Sequence, residues 1–260
     1  SKWSILNSVR NAQRIITVSH YEKQQIERQL QVAGQRITVT HLAANPLYRQ
    51  ACPEARQQWR ATLSRDCGLH RNFILGVGYE PRKNIALLIK AFAQLAPTHP
   101  ELGLVVVAAQ EQARQGFQQL AAELGLAERV TFLPSQPPER LAMLYNLAEA
   151  FVYPSERESF GLPPLEAVAC GAPTLAMNMT SLPEILRDGA ILLDGKEPAT
   201  WAAAIERVLV DENLRTTLAQ RGLGQARRLS WQRCAQETVT VYEAVLGPAT
   251  LRGYEHANFA

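Results

Sequence analysis

Six short apolar runs recur along this chain, most of them separated by segments of helical periodicity. They read FILGVG (73–78), LVVVAA (104–109), RVTFL (129–133), AFVYP (150–154), PTLAM (173–177) and AILLD (190–194). Apolar runs of this length, without polar alternation, mark strands that are buried on both faces. The segment NIALLIKAFAQL (84–95) places Ile85, Leu88, Ile89, Phe92 and Leu95 on one helical face. Further helices are expected over 111–125, 138–148 and 163–170. Strand and helix in alternation predict an α/β fold: a Rossmann-like parallel sheet with helices on both faces. An all-helical fold suits the short β-branched runs poorly. After residue 194 the pattern turns helical, over 197–210, 211–228 and 231–246. There is no internal repeat.

The first 50 residues differ. IITVS (15–19), HYEKQQIERQL (20–30) and RITVTHL (36–42) form one strand-helix-strand unit. The Asn-Pro and Cys-Pro pairs that follow are boundary signals. Two strands and a helix are too little for a core of their own. This segment either joins the main sheet or ends a domain whose beginning is absent.

Bulk properties exclude several classes. With 47% hydrophobic and 20% charged residues, the chain reads as an ordinary soluble globular protein. Its net charge of +3 is not gathered into a Lys/Arg run, so nucleic acid is not implied. Cys52, Cys67, Cys170 and Cys234 are scattered, and the five histidines show no metal spacing. Reduced thiols in the cytoplasm are the expectation. No apolar run approaches the ~18–20 residues of a membrane helix, which leaves peripheral membrane association open. Gly76-Val77-Gly78 lacks the full dinucleotide fingerprint, so NAD is not expected.

Ligands of open α/β sheets bind outside the carboxyl ends of the strands. Two loops there carry chemistry. After FILGVG comes YEPRKN, with Arg82 and Lys83 just before a helix. After AFVYP comes SERESFGLPPLEAVACG, in which Glu158 and Glu166 bracket seven residues. Pro163 and Pro164 suit the first turn of a helix, and Gly171 suits its end. The amides near Phe160, Gly161 and Leu162 then offer a site for phosphate or hydroxyl oxygens, and Gly161 allows close approach. Carboxylates accept from vicinal hydroxyls such as those of sugars and ribose. Arg82 and Lys83 are suited to a diphosphate and to stabilising it as a leaving group. Together these groups describe a site for a sugar joined to a nucleoside diphosphate.

GVGYEPRKNIALLIKAF and SERESFGLPPLEAVACGAPTLAMNMTSLPEIL resemble the carboxyl-terminal, donor-binding half of the retaining GT-B glycosyltransferases, family 4 type (glycosyl transferases group 1). The resemblance implies a role for each matching position. Glu158 would contact the transferred sugar near the reacting centre. Glu166 would bind the ribose hydroxyls. Lys83 would hold the diphosphate, with Arg82 and Gly78 beside it. Many members carry an arginine five or six residues before that lysine; here Gly76-Val77-Gly78 stands in its place. Ser159 and the backbone of Phe160, Gly161 and Leu162 would meet sugar and phosphate. The base would lie against Leu133 to Ser135.

The resemblance further implies no cofactor and no metal. The donor would be GDP-mannose or a UDP-sugar, and the acceptor a glycan or lipid-linked chain of bacterial polysaccharide or lipopolysaccharide. That acceptor would be held by an amino-terminal domain of which only the end, residues 1–50, is expected here. Residues 51–246 would be the donor domain and 247–260 a tail, in the cytoplasm or at the inner face of the membrane. Two readings compete. A non-catalytic binding or partner module would keep the fold and need a separate acceptor domain. A glycoside hydrolase would use Glu158 and Glu166 across a glycosidic bond, ~5–9.5 Å apart, but carboxylates bracketing one helix start face the same side of a ligand. Glu184 and the Ser181-Leu182-Pro183 turn are read as structural.

Overall fold

The computed structural model describes residues 2–69, 72–108 and 110–247. The chain divides into two compact units. One takes residues up to Ala43 and from Leu229 onward; the other spans Ala44–Arg228.

The first unit opens with α1 (Lys2–Asn11), β1 (Ile15–Thr17), α2 (His20–Leu30) and β2 (Ile37–Val39). The Ser19 side chain accepts from the Glu22 amide at 3.1 Å and so caps α2. β1 and β2 pair in parallel, with Ile15 opposite Ile37. They form a two-stranded sheet of their own and do not extend the larger one.

The second unit alternates as expected. It contains α3 (Pro53–Cys67), β3 (Asn72–Val77), α4 (Ile85–Leu95), β4 (Leu102–Val107) and α5 (Glu111–Glu123). Then come β5 (Val130–Leu133), α6 (Pro138–Leu147), β6 (Ala150–Tyr153), α7 (Leu162–Ala169) and β7 (Thr174–Met177). α8 (Leu182–Leu186), β8 (Ile191–Leu193), α9 (Pro198–Val210) and α10 (Glu212–Arg227) complete it, and α11 (Trp231–Leu246) returns to the first unit. The six strands are all parallel, in the order β5-β4-β3-β6-β7-β8. Every residue of β4, β6 and β7 is buried, as their unbroken apolar character requires. The anticipated face of α4 supplies Leu88, Ile89 and Phe92 to the core, each fully buried. Burial of such side chains contributes about 1.5–3 kcal/mol apiece.

Some boundaries differ from the expectation. The units divide after Ala43, not after residue 50, and the 231–246 helix groups with the first unit. Residues 44–51 belong to the second unit because Asn146 ties them down. Its Nδ2 donates to the Arg49 carbonyl at 3.0 Å, and its Oδ1 accepts from the Ala51 amide at 2.8 Å. α3 was not anticipated; it buries only Leu63, so it shows no apolar stripe. Ser181 lies in a turn, as read, but Leu182 and Pro183 already belong to α8. The expected tail lies outside the described residues from 248 onward. Among the described residues, no helix is long and apolar enough to cross a membrane.

Candidate functional site

The strand order reverses direction between β3 and β6, which pair directly with Ile74 opposite Ala150 and Leu75 opposite Phe151. That is the topological switch point, where a crevice opens at the carboxyl ends of the strands. The loop after β3 carries Arg82 and Lys83; the loop after β6 carries Ser155 to Gly161. The two loops are joined through their backbones. The Glu156 amide donates to the Arg82 carbonyl at 2.8 Å, and Arg82 Nη1 donates to the Arg157 carbonyl at 2.8 Å.

Glu158 is the hub. Its Oε1 accepts from Lys83 Nζ at 2.6 Å, Ser155 Oγ at 2.6 Å, Tyr153 Oη at 2.8 Å and Arg82 Nη1 at 3.2 Å. All four bonds end on Oε1, so Oε2 takes no part in them. Lys83 Nζ also donates to the Tyr153 hydroxyl. Burial works against the Glu158 charge, but the bond from Lys83, the bond from Ser155, the Lys83 charge and the Tyr153 hydroxyl outweigh it. The carboxyl is held below its ordinary range. Gly78 makes the lysine's position possible. Its φ is +138°, and a Cβ there would stand 2.6 Å from Lys83 Cγ. Asn84, in the left-handed region at φ +55°, turns the chain into α4, and its buried Nδ2 has no hydrogen-bond partner among the described residues.

α7 begins and ends one residue earlier than the expected 163–170, with Gly171 just past its end. Gly171 and Ala172 donate to the Val168 and Ala167 carbonyls, the two bonds of a Schellman cap. Pro163 and Pro164 carry no N–H, so the amide donors at this helix start narrow to the backbone of 160–162. Phe160 is buried and Ser159 exposed. Gly161 has φ +99°, and a Cβ there would lie 2.6 Å from Leu182 Cδ2. The SLPEI segment therefore packs against the loop. Ser181 Oγ donates to the Glu158 carbonyl (2.9 Å) and the Phe160 carbonyl (3.0 Å), while the Glu158 amide donates to Thr180 Oγ1 at 3.1 Å.

Glu166, one turn into α7, has other surroundings. The Tyr145 hydroxyl donates to its Oε2 at 3.2 Å. Burial raises the Glu166 carboxyl to about 7, and the Tyr145 bond only partly opposes this. Burial, then the Glu166 charge, pushes Tyr48 and Cys170 each up to about 12. Tyr48 meets Tyr145 edge-on, ring centroids 5.8 Å apart.

The structure thus brings Arg82, Lys83 and Glu158 together and sets Gly161 and Leu162 at the start of α7. Leu133 and Ser135 stand apart, at the end of β5, with β4 between that strand and β3. The Leu133 side chain is buried, and its carbonyl accepts from the Ala108 amide; Ser135 is exposed. Sequence reasoning missed Tyr153, Ser155, Thr180, Ser181 and Tyr145. The place of Tyr153 as last residue of a strand at the binding edge was a usable signal. Among the described residues, a cavity of roughly 420 Å³ against Leu63, Phe73 and Leu147 lies away from this constellation, beside α3.

The family model "Glycosyl transferases group 1" matches residues 69–224. The O-antigen chain mannosyltransferase B of Escherichia coli is 34% identical over 244 residues, 92% of this chain and 63% of that protein. The structure of sucrose-phosphate synthase (tll1590) from Thermosynechococcus elongatus superposes with a TM-score of 0.80 at 27% identity, over 94% of this chain and 61% of that one. Anabaena Alr3699/HepE in complex with UDP-glucose superposes at 0.78 and 20% identity, over 94% and 66%, a likeness of fold. The chain spans less than two thirds of the length of each of these proteins. The family match takes in Arg82, Lys83, Glu158 and Glu166 and more than half of the chain, and the protein belongs to the glycosyl transferases group 1 family.

Proposed function

We propose that this chain is the donor-binding portion of a retaining hexosyltransferase that uses a nucleoside-diphosphate sugar. The observation that carries the reading is the convergence of Lys83, Arg82 and Glu158 at the switch point between β3 and β6. Lys83 and Arg82 take the diphosphate and stabilise the charge that develops on it as it leaves. The buried, unpartnered Asn84 amide is a donor that a phosphate oxygen would satisfy. Glu158 turns its second oxygen to the sugar, Glu166 meets the ribose hydroxyls, and the base lies toward Leu133 and Ser135. Cationic side chains and backbone amides supply the positive charge at the diphosphate, with no metal in these steps. The E. coli relative's name supports mannose as the sugar and a polysaccharide acceptor, and the HepE complex supports a nucleotide sugar as the ligand class. GDP-mannose is the first donor to try, and UDP-sugars the second. The acceptor, a glycan or a lipid-linked chain, would be held by the part of the enzyme that the longer relatives have and this chain does not span. The reaction would run in the cytoplasm or at the inner membrane face.

Calorimetric titration with GDP, UDP, GDP-mannose and UDP-glucose, without added metal, tests this. One nucleotide and its sugar conjugate should bind saturably. Lys83→Ala should weaken both by about tenfold or more, since it removes a charge-assisted bond. Binding of none of the four would refute the donor reading and favour a partner module that has kept the fold.

A further inference from the structure

Of the four donors on Glu158 Oε1, two are cations and two are neutral hydroxyls. A diphosphate competes for the cations, because phosphate oxygens are strong acceptors for lysine and arginine. Arg82, with a side chain 41% exposed, reaches such a ligand by giving up its long 3.2 Å bond to Glu158 and its bonds to the Arg157 carbonyl and Glu80. When both cations turn away, Glu158 keeps only Ser155 and Tyr153. Ser155 belongs to the loop. Tyr153 is the last residue of β6, 1% exposed, with its ring stacked on Phe151 at 5.7 Å between centroids. Its hydroxyl touches both charges, accepting from Lys83 Nζ and donating to Glu158 Oε1.

We infer that Tyr153 is a positioning residue: it ties the Lys83 ammonium to the Glu158 carboxylate in the free protein and anchors that carboxylate when a diphosphate draws the lysine away. The inference rests on the donor reading above. Burial, then the neighbouring Glu158 charge, pushes the Tyr153 phenol up, so it remains a proton donor wherever Glu158 is ionised. Other charged groups facing the carboxylate are Lys83 and Arg82 from the loop after β3, with Glu80 beyond them on Arg82. A purely structural tyrosine would satisfy the same ring contacts, and its hydroxyl would not distinguish a ligand with a sugar from one without.

Tyr153→Phe keeps the ring and removes only the hydroxyl, so it tests this in the full 260-residue chain. The probes are the nucleoside diphosphate that the wild type binds and its hexose conjugate. The diphosphate should bind within about twofold of wild type, whereas the hexose conjugate should weaken by about tenfold, the scale of a lost bond to a charged group. Carbon-13 NMR of the glutamate carboxyls should show the Glu158 titration displaced upward in the variant, with or without ligand. Equal weakening of both ligands, an unchanged hexose conjugate, or an unmoved Glu158 titration each overturns the inference. Failure of the wild type to bind any nucleotide refutes the donor reading and the anchoring half of the inference with it; the titration then decides the tie between Lys83 and Glu158.

Discussion

Glu158 and Glu166 are the same residue type, eight positions apart, and are held in opposite ways. Glu158 sits in the loop after β6 with four donors, two of them cationic, and is held below the ordinary carboxyl range. Glu166 sits on α7, its Oε2 bonded by the Tyr145 hydroxyl, and its carboxyl rises to about 7. Burial raises both. What separates them is Lys83, which the loop after β3 brings to one and not to the other, joined by the Ser155 and Tyr153 hydroxyls. Glu158 is fixed as an anion beside the groups suited to a diphosphate. Glu166 can exchange a proton near neutral pH, and in either state a carboxyl group hydrogen-bonds to hydroxyls.

Removing the lysine is the strongest way to break this contrast. Lys83→Met should cost about 3 kcal/mol, because a buried carboxylate loses its principal counter-charge. Glu158 has a folded pKa below its unfolded value. Its contribution is therefore present above the unfolded pKa and is lost as pH falls through the folded one. In Lys83→Met that acid-side loss should shrink. Urea unfolding at pH 7 and pH 4 measures both effects. The double variant Lys83→Met/Glu158→Gln should recover at least half of the loss, since no stranded charge remains. A cost under about 1 kcal/mol, the range of exposed ion pairs, would mean that water screens the pair and the contrast fails.

Glu166→Gln probes the other side, with the opposite sign. The folded pKa of about 7 exceeds the unfolded value near 4.5, so the native state binds more protons between them. The neutral carboxyl's contribution is full below the unfolded pKa and is lost as pH rises through about 7. Wild type should lose about 1–3 kcal/mol relative to Glu166→Gln between pH 5 and pH 8, a figure discounted for the half-buried side chain. Urea midpoints of both proteins at these pH values show it. Parallel curves would place Glu166 in a wetter site than its neighbours suggest.

The sequence made much of this legible, and the gaps have physical causes. The six strands stood out because burial on both faces leaves unbroken apolar runs. Residues 163–170 stood out as a helix because two prolines and a glycine punctuate its ends. Arg82, Lys83 and Glu158 could be paired before the fold was known, since both loops follow strands that end on one edge. Tyr153 carried one signal, its place as last residue of a strand at the binding edge, but a tyrosine that ends an apolar run reads equally as core until β3 and β6 are known to be neighbours. Tyr145 lies in the last turn of α6, and its bond to Glu166 depends on how α6 packs on α7. Ser181 looked like part of a turn, and its contact with the loop 23 residues earlier is a product of tertiary folding alone. α3 went unseen because a helix that buries one side chain leaves no stripe.

Ser181→Ala should have the smallest effect, and it tests what kind of contrast this is. Ser181 is fully buried, and its hydroxyl holds the carbonyls of Glu158 and Phe160 with one shared proton. Alanine fits the same space and leaves two carbonyls short of a donor. The expected loss is about 1 kcal/mol, the net worth of an ordinary hydrogen bond. The Glu158 amide keeps its bond to Thr180, so the loop should stay in place. Ser181 touches the backbone of Glu158 and not its carboxylate. The loss should then be the same at pH 4, 6 and 8 in urea unfolding, with the acid-side and alkaline-side slopes of wild type unchanged. If Ser181→Ala instead flattened the acid side as Lys83→Met does, the charge of Glu158 would be governed by where the loop sits. The two glutamates would then differ through the rigidity of their backbones, and the cations would be secondary.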